Sequence, residues 1–169
     1  MLAEKPPALS DARRLSQRVH FERDGTVSIA SGKVELGQGI LTALAQIAAE
    51  ELGVPLERIR MLPASTAYSP DEGVTSGSLS IQDAGKALRK ACAELRALLE
   101  RSGASSYWDL RLGDAGIAGD APEKPAADYR VVGTNAPRLD LPGKFAGRPS
   151  YVQDMMLPGM LHGRVIRPP

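Results

Sequence analysis

The stretch SGKVELGQGI, residues 31–40, decides the fold prediction, because its Gly37-Gln38-Gly39 sequence separates a strand pattern from a helix pattern. In residues 18–35, apolar and polar side chains alternate on both sides of Asp24-Gly25, a pair typical of a hairpin turn. Beyond the glycines, apolar residues recur at helical spacing, and Gly53 then ends the run. This helix pattern consists of Leu41, Leu44, Ala45, Ala48 and Leu52.

The same order occurs again further along the chain. Residues 58–64, RIRMLPA, predict a short strand, and a loop rich in Ser, Thr, Gly and Pro leads from it into a second helix over residues 80–101. The apolar stripe of that helix is formed by Ile81, Ala84, Leu88, Ala91, Leu95 and Leu99. Two successions of strand, loop and helix predict an α/β (α+β) fold, with a βαβα segment at residues 18–102.

The other face of the second helix carries charge. We expect it to be solvated, and it consists of Lys86, Arg89, Lys90, Glu94 and Glu100. Cys92 lies beside the apolar stripe, which favours a buried thiol over a reactive one. Because Cys92 is the only cysteine, the chain by itself forms no disulfide and no four-cysteine iron–sulfur or zinc site.

Both predicted helices begin at loops rich in glycine and hydroxyl residues, and two hypotheses account for this. Plain turn and helix-cap chemistry is one. The other is a binding site for a phosphate or pyrophosphate, because a helix N-terminus presents unpaired N–H groups and glycine lets an anion approach them. The Gln38 amide and the hydroxyls of Thr75, Ser76, Ser78 and Ser80 would add donors. No Gly-Lys-Ser/Thr step is present, so the sequence does not support a nucleotide triphosphatase.

Composition narrows the possible partners and compartments. The 169 residues, 43% of them hydrophobic, suffice for one domain or two small ones. Lys and Arg number 21 against 20 for Asp and Glu, a balance that gives no case for nucleic-acid binding, and no apolar run is long enough to span a membrane. Without an apolar leader, we expect a cytoplasmic protein, or a periplasmic one if a partner carries the signal.

The rest of the chain divides into three parts. Residues 1–17 are polar and predict a flexible N-terminus, and residues 103–129, rich in Gly, Ala and Pro, predict a linker. From residue 130 onward the pattern suggests strands and turns, and residues 160–166, MLHGRVI, predict a strand. An open strand edge there would invite pairing with a second copy of the chain, so a homo-oligomer is one expectation.

Two long stretches resemble a known family. Residues 32–59, GKVELGQGILTALAQIAAEELGVPLERI, and residues 69–99, SPDEGVTSGSLSIQDAGKALRKACAELRALL, are similar to the molybdopterin-binding subunit of the xanthine dehydrogenase and aldehyde oxidase family, in particular its isoquinoline 1-oxidoreductase-like members. The tail, YVQDMMLPGMLHGRVIRPP, resembles the opening of the hammerhead-like domain of that family. The resemblance implies half of a molybdopterin-binding domain at residues 18–102 and the start of a hammerhead-like β segment at residues 130–169.

The resemblance also implies a cofactor and a set of site residues. The cofactor is molybdopterin cytosine dinucleotide or a related molybdenum cofactor, and its wall is formed by Gly37, Gln38, Gly39, Gly77, Ser78, Leu79 and Ser80. The partners are a larger molybdenum-bearing chain and a [2Fe-2S] small subunit. The glutamate that acts as catalytic base in the family belongs to a late motif without a match here, so no catalytic residue is assigned, and Glu35 and Glu72 do not replace it.

These features lead to two functional hypotheses. In the first, the chain is part of a molybdenum hydroxylase and contributes to the cofactor site for oxidative hydroxylation of an N-heterocycle or aldehyde. In the second, it is a non-catalytic small domain derived from that family, which binds a ligand or a copy of itself. Neither hypothesis includes a metal ligand from this chain.

Overall fold

The computed structural model describes residues 14–149 and 151–168. The chain divides into two compact units, Met1–Arg138 and Leu139–Pro169. Within the described part, no helix combines the length and the apolarity needed to cross a bilayer. The predicted flexible segment at residues 1–17 lies almost entirely outside the described residues.

The first unit contains a three-stranded mixed sheet in the order β1-β2-β3. Strand β1 (Val19–Phe21) pairs antiparallel with β2 (Val27–Ile29), and β2 pairs parallel with β3 (Ile59–Met61). The predicted hairpin is confirmed: the Asp24 carboxylate accepts hydrogen bonds from the Thr26 amide at 3.0 Å and the Thr26 hydroxyl at 2.6 Å.

Two long helices follow the strands as predicted. Helix α1 (Ile40–Leu52) connects β2 to β3, and Gly39 and Gly53 flank it in left-handed backbone conformations. A single π-helical turn (Ile81–Gly85) continues directly into α2 (Lys86–Ser102). The second unit contains two short helices among its described residues: the α-helix α3 (Leu141–Phe145) and a 3-10 turn (Val152–Asp154).

The sheet, α1 and α2 enclose one apolar core, built mostly from the residues at the predicted spacing. Ile81 is the exception, because it belongs to the predicted stripe but is 46% exposed. The fully enclosed members include Val19, Val27, Ile29, Leu44, Ala45, Ala48, Leu88, Ala91, Cys92 and Leu95. The prediction of a buried thiol at Cys92 is thereby confirmed. Burial raises the pKa of that thiol far above its usual range, with a smaller contribution from Glu51.

Residues 103–132 pack against this core through aromatic side chains. The Tyr107 ring stacks on Phe21 at 5.2 Å between centroids, and its hydroxyl donates to the Leu52 carbonyl at 3.0 Å. The Trp108 indole N–H donates to the Glu22 carbonyl at 2.8 Å. The apolar side chains of this segment therefore extend the core.

Three buried carboxylates hold the same segment by its backbone. Glu94 accepts hydrogen bonds from three consecutive amides, those of residues 119–121, at 2.8–3.2 Å. The amides of residues 130–132 donate to Glu50 at 2.6–3.0 Å, and the Lys124 amide donates to Glu51 at 3.1 Å. The prediction that Glu94 lies on a solvated face was therefore wrong: its side chain serves as an anchor for N–H groups that would otherwise be unpaired.

The strand predicted at residues 160–166 is absent, and this prediction was wrong. The described residues of the second unit form no strand, since no neighbouring segment supplies the ladder of hydrogen bonds that a strand requires. The side chains of Leu161, Val165 and Ile166 remain 93%, 80% and 91% exposed. The assignment of residues 130–169 to the start of a hammerhead-like domain stays a prediction.

Candidate functional site

The two glycine-containing loops lie side by side in the first unit. They line an open cleft of about 380 Å³ together with the first turns of α1 and the π-turn. Five of the seven predicted site residues contribute to its wall: Gln38, Gly39, Gly77, Ser78 and Ser80. Gly37 and Leu79 belong to the same loops but do not line the cleft.

The strand order explains why the loops meet. The first loop follows the carboxyl end of β2, and the second follows the carboxyl end of β3. Because β2 and β3 are parallel neighbours, both loops emerge at the same edge of the sheet. Ligands of open α/β sheets commonly bind at that edge.

Glu72 joins the two loops through a buried network. Its carboxylate accepts hydrogen bonds from the Ser31 hydroxyl at 2.6 Å and the Gly32 amide at 2.8 Å, and it pairs with the Arg18 guanidinium at 2.5 Å. The Arg18 and Glu72 side chains are only 5% and 4% exposed, so their attraction acts in a low-dielectric environment.

Two further contacts extend this junction toward the cleft. The Lys33 ammonium donates to the Glu72 carbonyl at 2.5 Å and to the Val74 carbonyl at 3.1 Å. The Val34 amide donates to the Thr75 hydroxyl at 3.0 Å. Residues 31–34 and 72–75 are thus fixed against each other immediately before the two predicted binding loops begin.

The amides at the N-terminus of α1 are already engaged. The Glu35 carboxylate accepts hydrogen bonds from the amides of Gly37 and Gly39 at 2.9 Å and 2.8 Å, and from the Leu41 amide at 3.3 Å. The Glu35 carboxylate therefore binds the amides at the start of α1 that, in the phosphate hypothesis, would bind a ligand anion. At α1 the geometry therefore favours the turn and helix-cap alternative, and phosphate binding by this loop stays a prediction.

The Gln38 side chain bonds to its own loop. Its amide oxygen accepts from the Leu36 amide at 2.6 Å, and its amide nitrogen donates to the Val34 carbonyl at 3.0 Å. A side-chain amide carries two N–H donors, so one of them stays available, and Gln38 lines the cleft. Gln38 fixes the loop and still presents one polar group.

The second loop differs, because its donors are free. Gly77 and Ser78 adopt consecutive left-handed conformations, with φ of +63° and +58°, and Ser78 is the one non-glycine residue with positive φ among those described. No hydroxyl hydrogen bond is present at Ser76, Ser78 or Ser80 in the described part of the chain. A non-glycine residue in this conformation costs on the order of 1–3 kcal/mol of folding free energy, and such strained residues cluster at functional sites.

Sequence inspection identified the two loops but missed the residues that organise them. Lys33, Glu35 and Glu72 lie within or beside these loops, but some of their partners are distant in sequence: Arg18 is 54 residues from Glu72, and Arg138 lies about 100 residues from Glu35. The described residues contain no group of three or more His, Cys, Asp or Glu side chains arranged to hold a metal ion. The chemistry of the cleft is that of neutral donors and backbone groups.

The sequence of the chain is similar to those of known molybdopterin-binding proteins. Residues 5–137 match the family described as molybdopterin cofactor-binding domain. The chain is 40% identical to a nicotinate dehydrogenase subunit from Pseudomonas putida, an alignment that covers 93% of this chain and 16% of that protein. It is 40% identical to aldehyde oxidase 4 of Cavia porcellus over 48% of this chain and 6% of that protein, and 35% identical to aldehyde oxidase 1 of Macaca fascicularis over the same shares.

The chain thus spans about a sixth of the first of these relatives and a smaller part of the oxidases. The family match includes both loops, the sheet and both long helices. The chain belongs to the molybdopterin cofactor-binding domain family of the xanthine dehydrogenase and aldehyde oxidase type.

Proposed function

We propose that this chain forms one wall of the cofactor site of a molybdenum hydroxylase, and that the cofactor is molybdopterin cytosine dinucleotide or a close relative. The observation that carries the proposal is the cleft shared by the two loops, with Gln38, Gly39, Gly77, Ser78 and Ser80 on its surface. A dinucleotide of this kind has a pyrophosphate and a polar heterocycle, which require different partners.

The second loop, residues 75–80, which we term the serine loop, fits the pyrophosphate. The hydroxyls of Ser76, Ser78 and Ser80 have no partner in the described part of the chain. The loop leads into the π-turn at the N-terminal end of the helical segment 81–102. Left-handed Gly77 and Ser78 expose their backbone, so a ligand oxygen can approach closely. Ser78 and Ser80 would then donate hydroxyl hydrogen bonds to phosphate oxygens.

The first loop, residues 35–39, which we term the GQG loop, fits a neutral, polar part of the cofactor. Glu35 already neutralises the positive end of α1, and this makes the loop a poor site for phosphate. The N–H of Gln38 that has no partner is suited to the edge of a pterin ring, and Gln38 and Gly39 both line the cleft. The two loops would thereby orient the cofactor, with its charged and neutral parts at opposite ends of the cleft.

When bound, a molybdenum–pterin cofactor supplies two-electron oxidation of a substrate carbon with oxygen taken from water. This chain contributes binding and orientation only. Glu72 is buried in an ion pair and Glu35 is held by backbone amides, so neither has the free carboxylate that a general base needs. The base, the remaining cofactor contacts and the [2Fe-2S] clusters would reside on a larger molybdenum-bearing chain and a small subunit. The names of the relatives suggest an N-heterocycle or an aldehyde as substrate.

A non-catalytic, self-associating domain is the second candidate function. One observation favours it: the second unit exposes a series of large apolar side chains, which a monomer in water rarely does. They include Phe145, Val152, Met156, Leu161, Val165 and Ile166. A dimer whose interface contains residues 152–166, formed without any cofactor, would support this alternative.

Affinity purification of the tagged chain from its native host tests the first proposal. Elemental analysis of the eluate should find molybdenum together with iron, and a larger chain should elute with the tagged one. A monodisperse eluate without metal or a second chain would refute the proposal. In that case analytical ultracentrifugation of the same sample measures the self-association that the second candidate requires.

A further inference from the structure

Helix α1 holds a distant segment along its length. Near the carboxyl end of the helix, Glu50 accepts hydrogen bonds from the backbone amides of residues 130–132. About one turn earlier, the Gln46 amide donates to the carbonyls of Val131 and Thr134 at 2.9 Å and 3.2 Å. Residues 130–138, which we term the α1 strap, therefore run antiparallel to α1, from its last turn toward its first.

The α1 strap ends with Arg138 at the GQG loop. The Arg138 guanidinium donates to the Gly37 carbonyl at 2.8 Å and lies 3.6 Å from the Glu35 carboxylate. It also covers Gly39, where an added Cβ would lie 3.8 Å from Arg138 Nε. One side chain thus contacts three of the five residues at positions 35–39, across about 100 residues of sequence.

We propose that Arg138 is a positioning residue that sets the conformation of the GQG loop for the cofactor. Glu35 carries its negative charge in a site whose side chain is only 10% exposed, and Arg138 supplies the opposite charge. A planar guanidinium reaches a carbonyl and a carboxylate at once, which a lysine does less well. The inference rests on the proposed function for its consequence, cofactor binding, but its structural part concerns this chain alone.

The charge arrangement also indicates what Arg138 does not do. Its guanidinium is already engaged by Gly37 and Glu35, and Arg138 is not among the residues that line the cleft. Arg138 therefore acts through the loop and does not bind the cofactor directly. Releasing it would leave Glu35 without its counter-charge and would loosen the Gly37 and Gly39 amides that Glu35 holds.

Amide NMR of the full chain without cofactor tests the structural part. In Arg138→Met we expect exchange of the Gly37 and Gly39 amides to rise about tenfold, a loss comparable to one net hydrogen bond. Arg138→Lys should restore part of the protection. Arg130→Met is the matched control, because it removes an exposed arginine from the same strap while the strap amides stay bound to Glu50.

Unchanged exchange at Gly37 and Gly39 in Arg138→Met would overturn the inference, as would an equal change in Arg130→Met. If Arg138→Met does not fold, Glu35→Gln gives a second measurement: the chemical shift of Arg138 Nε should change in that variant, and an unchanged shift would again overturn the inference.

Pterin content of the complex purified from the host is measured separately. A wild-type complex that lacks pterin refutes the proposed function, whereas the amide result decides the role of Arg138 without cofactor.

Discussion

Glu72 accepts a hydrogen bond from the Ser31 hydroxyl at 2.6 Å, across 41 residues of sequence. The same carboxylate forms an ion pair with Arg18 in which both side chains are almost completely buried. This contact lies at the base of the two loops that line the cleft. The geometry of the cleft therefore depends on a carboxylate that is itself no part of its wall.

Glu72→Gln should destabilise the first unit by about 3–5 kcal/mol, because it removes one charge of an ion pair whose two side chains are almost completely buried. Urea unfolding followed by circular dichroism measures this change. Glu57→Gln is the control, since Glu57 is an exposed glutamate and its loss should change stability by less than about 0.5 kcal/mol. Equal stability of the two variants would contradict the importance of the buried pair.

Gly32→Ala should disturb the same junction by a different mechanism. A Cβ at this position would collide with the backbone carbonyl of Pro70, which cannot rotate away as a flexible side chain would. We expect a loss of about 1–3 kcal/mol in the free energy of unfolding. Gly163→Ala, where an added Cβ meets no atom within 4 Å, should be neutral. A neutral Gly32→Ala would show that the loops are not tightly apposed.

Glu50 should make the attachment of the α1 strap sensitive to acid. Burial opposes its ionisation, but hydrogen bonds from Lys124 and from the amides of Val131, Val132 and Arg130 outweigh burial and lower its pKa to about 2. The ionised Glu50 therefore contributes about 3 kcal/mol to the free energy of unfolding. This contribution is complete above about pH 4.5 and is lost as the pH falls toward 2.

The amide shifts of Val131 and Val132 between pH 6 and pH 2 report this loss directly. They should remain constant down to about pH 3 and then move toward their values in Glu50→Gln. A midpoint near the ordinary glutamate pKa, about 4.3, would contradict the proposed anchoring.

Two variants of Ser78 separate its effect on stability from its effect on cofactor binding. Ser78→Gly relieves the left-handed strain and should raise stability by up to about 1 kcal/mol, whereas Ser78→Ala keeps the strain. Both variants remove the hydroxyl, so both should retain less pterin when the complex is purified from the host. If Ser78→Ala retains normal pterin, the hydroxyl has no role in binding.

Cys92 should not react with thiol reagents in the folded chain. Its side chain is fully buried, and burial raises its pKa, so little thiolate is present. The rate of modification by an aromatic disulfide should follow the rate of unfolding and rise steeply with denaturant. Rapid stoichiometric labelling in native buffer would mean that α2 opens readily.

Local patterns were sufficient to predict the elements that carry the loops. The periodicity of Leu41, Leu44 and Leu52 and the glycines at either end determined α1, and the alternation around Asp24-Gly25 determined the hairpin. The apolar character of residues 160–166 was misleading, because a strand exists only when a partner segment supplies its hydrogen bonds.

The long-range contacts of the site were not predictable from such patterns. Glu50, Glu72 and Glu94 resemble solvated carboxylates in sequence, and only the fold brings backbone amides or Arg18 to them. Glu35 likewise gives no local sign that it caps α1. Its position explains why the anion hypothesis fits the serine loop and does not fit the GQG loop.

The most direct measurement is the molybdenum and pterin content of the complex purified from the host with the chain in three forms. These are the wild type, the Ser76→Ala/Ser78→Gly/Ser80→Ala variant, and Ser105→Ala, which removes an exposed serine outside the cleft. We predict equal content for wild type and Ser105→Ala and at least a tenfold loss for the triple variant, roughly the effect of one lost hydrogen bond to a charged group. Equal content in all three forms would contradict cofactor binding by the serine loop.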